Sequence, residues 1–565
     1  MPRRMMVVVV VFLSLLSILP SAAQNRFMVI RGRLAIMWGD TLNGRARLEK
    51  YTVYGQDGHA YQLDLNETQK AQLGFESGVE VEIEVSVAAD INKPLAANTV
   101  RIASHATTAQ SAALQDSPRR YQNILCSSPG TMQFPHDPTY YQELMGAGSL
   151  FWDRTARVKF ESYTTSWVAL QQPIASFLTT DINGTVIPMF QPLAEACVQA
   201  AQGQINDPTV DGINFFFSED IGCCAWGGQI DINMGQGVKR YADTFMPPWV
   251  DLLATLGHEL GHSIGLPHSG GVGGEAYGNR FDLMSDLWTD CARAIDVKWG
   301  CMPQGTIFPQ LLKLGAIDPA RFTTFSSPTD QPAYFTVLIA SLYRPSSELP
   351  SDYVYGVNVD ESKYGGEFGL TVEYRDNRPT SSYSYDQKLP VRGIVIHERN
   401  EFGRPDPDHL LVSGQDTSGL IWPVGSKLTY SFATVCVLKE TEFGAQVSIG
   451  VNGADCANPP PPVVGKATGL VLHDLAIVVT ENIDVATLPQ EIVVGIYREE
   501  KPVEKLMAVV TLNITPYQLN QYVGAWDKCD KAGDYYIKGA VGRVNISKSI
   551  IHLSCGKTFV PLARG

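Results

Sequence analysis

The sequence is poor in charge and contains no basic run. Charged residues make up 18% of its 565 residues, and Asp and Glu outnumber Lys and Arg by 58 to 44. The net charge of −14 argues against a nucleic-acid partner, because no cluster of Lys and Arg offsets it. Aromatic residues are plentiful at 10%, which is typical of a folded globular chain.

Long apolar runs are also missing after the first 23 residues, so the sequence predicts no stable membrane anchor. The chain begins MPRRMMVVVVVFLSLLSILPSAAQ, with Arg3 and Arg4 before the apolar residues 5–19 and small residues after them. This order is typical of a secretory signal peptide that is cut after Ala23. No cysteine follows the cut, so the sequence does not suggest a lipid anchor. We therefore expect a secreted, extracellular protein.

Composition and turn signals divide the chain into units. The first contains short alternating strands and predicts a small β-barrel or sandwich, with an OB-type barrel as one form. The next mixes strands and helices, which favours an α+β domain. Two β-rich units follow, separated by Pro459 to Pro462, and each predicts a β-sandwich. The expected bounds are signal peptide 1–23, N-terminal β domain 24–105, linker 106–120, α+β domain 121–319, β-sandwich 320–456, proline-rich linker 457–467 and C-terminal β-sandwich 468–565.

The functional interpretation of the sequence depends mainly on residues 249–268, which read WVDLLATLGHELGHSIGLPH. The apolar residues of this stretch recur at helical spacing, and the two prolines at 247 and 248 suit the first turn of a helix. His258 and His262 are four residues apart, so they project from one face and can bind a single metal ion. Gly265 can take a positive φ and end the helix. The returning chain would then bring His268 to the same ion.

Zinc is the metal that this pattern predicts. Three imidazoles suit Zn²⁺ and leave a fourth position for water, which the metal makes acidic. Glu259 is placed to accept the proton of that water as a general base. Two other interpretations remain: an accidental helical pattern, or a structural zinc in an adhesin or binding protein without peptidase activity. Glu259 distinguishes a catalytic zinc site from a structural one, because a structural site needs no base.

The pattern H-E-x-x-H-x-x-G-x-x-H, from His258 to His268, resembles that of the metzincin zinc endopeptidases. The resemblance implies His258, His262 and His268 as ligands and Glu259 as the base. It also implies a methionine turn below the metal, for which YGNRFDLMSDLW supplies Met284. Some metzincins have a tyrosine two residues later, where this chain has Asp286.

Within the clan, the segments HELGHSIGLPHS, FGLTVEYRD and LPVRGIVIHERN look like the gametolysin-like peptidases. The resemblance implies a secreted zinc metalloendopeptidase that acts on an extracellular protein or peptide. The C-terminal β units are expected to position the substrate or bind a surface or matrix, and the N-terminal unit is expected to be a propeptide or an accessory domain. The strand AWGGQIDIN before the metal helix pairs with an extended substrate in such enzymes. A purely structural strand is the equal alternative.

Two weaker possibilities concern other ligands. The ten cysteines form an even set, which favours disulfides in an exported protein. A free thiolate of Cys126 or of Cys223 and Cys224 that caps the zinc is the less favoured alternative. Calcium at Asp282, Asp286 and Asp290 is also less favoured than a solvated acidic face. Short separations suggest the disulfides Cys291–Cys301, Cys436–Cys456 and Cys529–Cys555.

Overall fold

The computed structural model describes the chain between residues 27 and 553, with interruptions, and from residue 466 onward it describes only the path of the strands. The predicted signal peptide, Pro459 to Pro462, Cys291, Cys529, Cys555, Asp286 and Asp290 therefore lie outside the described residues, as does most of the predicted linker 106–120. The description omits residues 1–26, 42–46, 74–76, 87–92, 105–116, 182–183, 206, 235–236, 251, 286–294, 297, 327–331, 362–367, 379–384, 390, 401–407, 412–420, 458–465, 473–474, 482–490, 501–502, 516–517, 525–532, 542–543 and 554–565.

The N-terminal unit is a closed ring of five strands. The first strand is long enough to pair with the second and the fourth, and the third pairs in parallel with the fifth, which closes the ring. Alternate side chains of these strands point inward, and they bury a core of Val, Leu, Ile and Tyr residues. Its elements are β1 (Phe27–Thr41), β2 (Arg47–Gly55), β3 (Ala60–Asp64), α1 (Glu67–Gln72), β4 (Glu80–Ser86) and β5 (Leu95–Ser104).

The second unit contains five main strands with helices packed on them. Four of these strands run parallel and the fifth, β11, runs antiparallel at the end of the row β7-β6-β10-β12-β11. Two clusters of buried apolar residues lie where the helices pack against this sheet. The elements are β6 (Arg119–Ser127), α2 (Pro138–Ala156), β7 (Phe160–Ala169), β8 (Leu178–Thr180), β9 (Val186–Pro188), α3 (Phe190–Ala201), β10 (Gly212–Phe217), β11 (Cys224–Asn233), β12 (Val238–Met246), α4 (Leu253–Ser263), β13 (Ile295–Asp296), β14 (Gly300–Cys301) and α5 (Phe308–Lys313).

The helix α4 packs closely on β11 because small residues allow it. A Cβ atom at Gly227 would lie 2.3 Å from the carbonyl oxygen of Glu259, so only glycine permits this approach. On its other side, α4 contacts α2, where the indole of Trp152 donates to the carbonyl oxygen of Gly257 at 3.1 Å. Sheet and helix together fix the position of the histidine-bearing turns.

The third unit consists of two five-stranded sheets, β15-β18-β19-β20-β21 and β17-β16-β24-β23-β22, with a shared apolar core. The disulfide Cys436–Cys456 closes its end, which confirms that predicted pair. The strands are β15 (Phe322–Ser326), β16 (Ala333–Ala340), β17 (Tyr353–Val354), β18 (Gly356–Asp360), β19 (Phe368–Arg375), β20 (Gly393–Asn400), β21 (Asp408–Leu411), β22 (Lys427–Thr429), β23 (Ala433–Glu440) and β24 (Gly444–Val451).

The last unit contains seven antiparallel strands paired in the order β25-β26-β29-β28-β27-β30-β31, and the first and last strands of this row also contact each other. The expected β-sandwich remains a prediction. The long strand β28 pairs with β27 along its length and with β29 at its end, which joins both groups of strands. The strands are β25 (Lys466–Leu472), β26 (Leu475–Glu481), β27 (Glu491–Glu500), β28 (Val503–Thr515), β29 (Gln518–Gly524), β30 (Gly533–Val541) and β31 (Val544–Leu553).

Cysteine pairing in the second unit removes all three candidate metal-capping thiols. Cys126 bonds to Cys197, across 71 residues, and Cys223 bonds to its neighbour Cys224. The chain contains no free cysteine among its described residues. Among the same residues, no helix is long and apolar enough to cross a membrane.

Candidate metal centre

The helix α4 begins later than the sequence indicates. Its first residue is Leu253, so the expectation that Pro247 and Pro248 occupy the first turn is wrong. These prolines belong to a separate turn, in which the N–H of Val250 donates to the carbonyl oxygen of Pro247 at 3.0 Å. The N–H of Leu253 donates instead to the carbonyl oxygen of Trp299, which satisfies a helix-terminal donor through tertiary structure.

The end of α4 follows the expectation for Gly265. Gly265 has a φ of 96°, in the left-handed region that glycine adopts without steric cost. Its N–H donates to His262, and the N–H of Leu266 donates to Gly261, at 2.9 and 3.0 Å. This pair of hydrogen bonds is a Schellman motif. It reverses the chain within one turn and brings His268 back to the helix.

The three predicted histidines converge on one point. The Nε2 atom of His262 lies 3.0 Å from that of His258 and 3.2 Å from that of His268. The Nε2 atoms of His258 and His268 lie 3.3 Å apart. All three residues are buried, with exposed fractions of 1% or less.

Hydrogen bonds at the Nδ1 atoms of His258 and His262 determine whether the Nε2 atoms of these rings can accept or donate. Nδ1 of His258 donates to the carbonyl oxygen of Leu283, and Nδ1 of His262 donates to that of Leu266, both at 2.7 Å. In neutral imidazoles this leaves both Nε2 atoms as acceptors with their lone pairs facing each other. Such an arrangement favours a cation between them, and the carbonyl partners orient the rings as in metal sites.

The distances fit zinc. Two atoms that each lie 2.0–2.1 Å from a tetrahedral zinc are about 3.3–3.4 Å apart. The three imidazole separations of 3.0–3.3 Å approach that value. Burial lowers the pKa of His262 to about 3, so the ring is neutral at neutral pH, as a metal ligand must be.

A fourth donor comes from the N-terminal unit and was not predicted. Asp40, near the end of β1, places Oδ1 3.0 Å from Nε2 of His268 and Oδ2 3.2 Å from Nε2 of His258. Its distance to Nε2 of His262 is 3.5 Å, and its side chain is 2% exposed. Asp40 and the three histidines therefore form one buried cluster of four ligand atoms. Within the sequence Asp40 ends an apolar run without any ligand spacing, so only long-range strand pairing reveals it.

Two aromatic residues enclose this cluster. Trp38, two residues before Asp40, stacks on the ring of His262 with centroids 5.3 Å apart and planes 11° apart. The hydroxyl of Tyr277 donates to Oδ1 of Asp40. Tyr277 also packs edge-on against His268, at 5.4 Å between centroids. Neither residue has a sequence signal that links it to the metal motif.

Glu259 is buried beside the cluster, and neither of its carboxylate oxygens has a hydrogen-bond partner. Burial is the main cause that raises its pKa well above the ordinary value, and the nearby charge of Asp40 adds to it. Burial alone would also raise the pKa of Asp40. Its interactions with His268 and His258, which include a hydrogen bond with His258, outweigh this effect and hold that pKa well below its ordinary value.

The predicted Met284 lies directly below the metal helix. A Cβ atom at Gly261 would lie 2.3 Å from the sulfur of Met284, so helix and turn are in tight contact. Asp282 shapes this turn, because its carboxylate accepts from the N–H of Met284 at 3.0 Å and from Ser269 at 2.6 Å. These bonds already use the oxygens that a calcium ion at Asp282 would need, and calcium binding remains a prediction.

The third unit also contacts the turn that contains Met284. Arg375 donates to the carbonyl oxygen of Phe281, two residues before the Leu283 carbonyl that holds His258. Its guanidinium forms a bidentate pair with Asp386, with both hydrogen bonds at 2.6 Å. Arg375 is fully buried and belongs to β19, in the segment FGLTVEYRD.

A second contact from the third unit lies next to the third histidine. The N–H of Gly270 donates to Asp408 at 2.8 Å, and the N–H of Leu410 donates to Gly270 at 3.0 Å. These bonds extend β21 by a parallel bridge to the chain that leaves His268. His409 and His397 are buried here as packing residues, in agreement with their lack of ligand spacing.

No family model matches the chain, and no curated protein matches it. The geometry of the site is therefore the basis for any functional assignment.

Proposed function

We propose that this chain is a secreted zinc-dependent endopeptidase of the metzincin type. One observation carries the proposal: three buried imidazoles converge through Nε2, and a buried carboxylate without a partner, Glu259, lies beside them. When bound, zinc would polarise a scissile carbonyl and make an attacking water acidic.

The side chains of this chain then have distinct tasks. His258, His262 and His268 hold the metal, and the carbonyl oxygens behind the first two fix their ring orientation. Glu259 accepts the proton of the attacking water and passes it to the leaving amine, and its raised pKa suits this exchange. Strand β11 runs beside α4, and it would offer an extended peptide an edge for backbone pairing where β1 no longer pairs with it.

The proposed substrate is therefore an extracellular protein or peptide in extended conformation. Nucleic acid remains an unfavoured partner because of the acidic net charge. We propose, from their architecture alone, that the C-terminal β units position the substrate or bind a surface or matrix.

The second candidate function is a binding protein with a structural zinc. Asp40 favours it, since it completes a set of four protein ligands, and structural zinc sites have four. Such a site would not need a base, so the buried and unpartnered carboxylate of Glu259 speaks against it.

Substitution of Glu259 tests the peptidase. Glu259→Gln should lower the rate of cleavage of labelled, unfolded casein by about 10²–10⁴-fold, because it removes the base and preserves the shape. Zinc content should stay at one ion per chain. The measurement is made in the complete chain and in an Asp40→Ala background, because Asp40 lies in the cluster.

Glu195→Gln is the matched control, because Glu195 lies on the exposed face of α3. It should change neither activity nor zinc content. Unchanged cleavage in Glu259→Gln would contradict the mechanism. His268→Ala should weaken zinc binding in a chelator competition, and full retention would remove this residue from the ligand set.

A further inference from the structure

The loop of residues 269–278, between the third histidine and the methionine turn, brings a hydroxyl group to the histidine cluster. Tyr277 donates from this loop to Oδ1 of Asp40, the oxygen that lies 3.0 Å from Nε2 of His268. Its ring packs edge-on against His268, with centroids 5.4 Å apart. The hydroxyl of Tyr277 therefore points to the position where a fourth oxygen meets the three histidines.

Tyr277 adopts an uncommon backbone conformation at this position. Its φ is 57°, in the left-handed region that residues with a Cβ atom rarely adopt. It is one of only three such residues in the part of the chain that the structure describes. Strain of this kind persists only where the surrounding structure fixes it, and it is concentrated at functional sites.

The third unit holds the first half of this loop. The ring of His409, on β21, lies against two glycines of the loop. A Cβ atom at Gly270 would lie 2.7 Å from this ring, and a Cβ atom at Gly274 would lie 3.0 Å from it. Gly270 also forms backbone hydrogen bonds on both sides of His409, with Asp408 and with Leu410. The loop can therefore approach the ring this closely only because both residues are glycine.

The third unit also holds the residue that follows the loop. Asn279 is fully buried, and its side-chain amide donates to Nε2 of His397, on β20, at 3.0 Å. Burial lowers the pKa of His397 to about 3, so this ring is neutral and can accept. The same amide lies 3.3 Å from the hydroxyl of Ser269, which joins the two ends of the loop. Contacts with the third unit therefore fix the loop on both sides of Tyr277.

We propose that Tyr277 donates a hydrogen bond to the substrate oxygen that becomes negative during peptide hydrolysis, and that the third unit positions it through His409. This inference rests on the proposed peptidase function. The carboxylate oxygen of Asp40 stands in for that substrate oxygen, because both are anionic oxygens beside the histidines. Addition of water to a peptide carbonyl places negative charge on the carbonyl oxygen, and a donor that is already in place stabilises this charge without reorganisation. The hydroxyl keeps its proton, and no covalent bond of Tyr277 forms or breaks.

The alternative role of Tyr277 is to orient Asp40 only. In that case its hydroxyl would contribute nothing once the carboxylate is absent. The two roles are therefore separated in an Asp40→Ala background of the complete chain. This background also opens the fourth position, which a catalytic zinc keeps for water or substrate.

Tyr277→Phe in this background removes one hydroxyl and preserves the ring. It should lower kcat for cleavage of a labelled peptide by about 10²–10³-fold, because the donor acts on charge that develops in the transition state. KM and zinc content should not change. Tyr61→Phe is the matched control, since the hydroxyl of Tyr61 also donates to an aspartate, Asp57, away from the cluster. An unchanged kcat in Tyr277→Phe would overturn the proposal.

A binding measurement tests the donor independently of cleavage. With Co²⁺ in place of zinc in the Asp40→Ala variant, acetate can take the place of the lost carboxylate, and the visible spectrum follows its titration. Tyr277→Phe should raise the Kd of acetate by about tenfold, because it removes a hydrogen bond to a charged group.

The acetate titration also separates this inference from the peptidase assignment. A raised Kd without cleavage in any variant would keep Tyr277 as the donor at the fourth position and would overturn the peptidase function. Equal Kd values with and without the hydroxyl would overturn the donor role. Loss of cobalt from both Asp40→Ala and Asp40→Ser would also overturn it, because no open position would then exist for the donor to serve.

A double-mutant cycle tests the positioning by the third unit. His409→Ala removes the ring that lies against Gly270 and Gly274, and it should raise the Kd of acetate by up to about tenfold, the effect of losing the hydroxyl itself. In a Tyr277→Phe background the same substitution should have no further effect, because the hydroxyl that it positions is gone. Equal effects in both backgrounds would overturn the positioning role of His409.

Discussion

The N-terminal barrel and the third unit both contact the histidine cluster, but they reach different atoms by different chemistry. The barrel meets the Nε2 side with the carboxylate of Asp40 and the ring of Trp38. Its other contacts include strand pairing, the buried side chain of Met37 and partly exposed charges such as Lys50, which is 26% exposed. The third unit supports the Nδ1 side of His258 through the turn at Phe281 and uses Arg375, which is fully buried.

We call the N-terminal barrel, residues 27–104, the cover, and the third unit, residues 322–451, the support. The difference in their contacts suggests that the cover is the more easily displaced of the two. Partly exposed ion pairs contribute little to stability, so loss of one such pair should loosen the barrel only slightly. A buried guanidinium with two buried carboxylate neighbours is costly to disturb, because any unpaired charge stays in a low-dielectric interior. We therefore expect that weakening the cover raises activity and that weakening the support removes it.

The largest loss of stability is expected for a substitution in the third unit, the support. Arg375→Met leaves Asp386 and Glu373 buried without their cation, which should cost about 3–5 kcal/mol of unfolding free energy. Thermal unfolding of the zinc-loaded chain should show a lower midpoint, with loss of zinc and of cleavage. Arg392→Met is the control, because Arg392 is 41% exposed and pairs with Glu440, which is 43% exposed. Its cost should be at most about 1 kcal/mol. Similar small shifts in both variants would contradict the assigned difference.

A smaller effect is expected where the support touches the metal helix. Gly261→Ala introduces a Cβ atom 2.3 Å from the sulfur of Met284 and 3.1 Å from the ring of Trp152. Overpacking of this kind costs about 1–3 kcal/mol, and here it would also shift the turn between His258 and His262. Chelator competition should show weaker zinc binding, together with a lower unfolding midpoint.

Gly146→Ala is the matched control for this substitution, because Gly146 lies inside α2 and a Cβ atom there meets nothing within 4 Å. Alanine at such a site should stabilise slightly, by about 0.5–1 kcal/mol. If Gly261→Ala keeps full stability and zinc affinity, close packing of the methionine turn is not what holds the helix.

The smallest effect is expected in the cover. Lys50→Ala removes the ion pair with Asp181 and should weaken docking by up to about 1 kcal/mol. Residual casein cleavage by the complete chain should then rise by up to about fivefold. Lys159→Ala is the control, because Lys159 pairs with Asp153 of its own unit at 3.9 Å. Equal rates in both variants would mean that this ion pair does not hold the cover.

Local sequence was sufficient for the helix and turn that carry the metal residues. His258 and His262 share a face because of helical periodicity, and Gly265 permits the reversal that returns His268. The same logic misplaced the start of α4, because prolines favour a first turn in general, whereas here the carbonyl of Trp299 caps the helix at Leu253.

Residues from distant units followed no local rule. Asp40 lies 228 positions before His268, and Arg375 lies 94 positions after Phe281, so no spacing connects them to the motif. The pairing of β1 with β11 brings Asp40 to the cluster. The pairing of β21 with Gly270 joins the third unit, which contains Arg375, to the chain that follows His268.

By itself, the sequence determined which side chains can hold a metal and supply a base, because helix periodicity and one glycine act over a few residues. The tertiary structure decided what surrounds that centre. Strand pairing between separate units depends on complementary edges and buried partners, and these placed Asp40 over the histidines and Arg375 behind them.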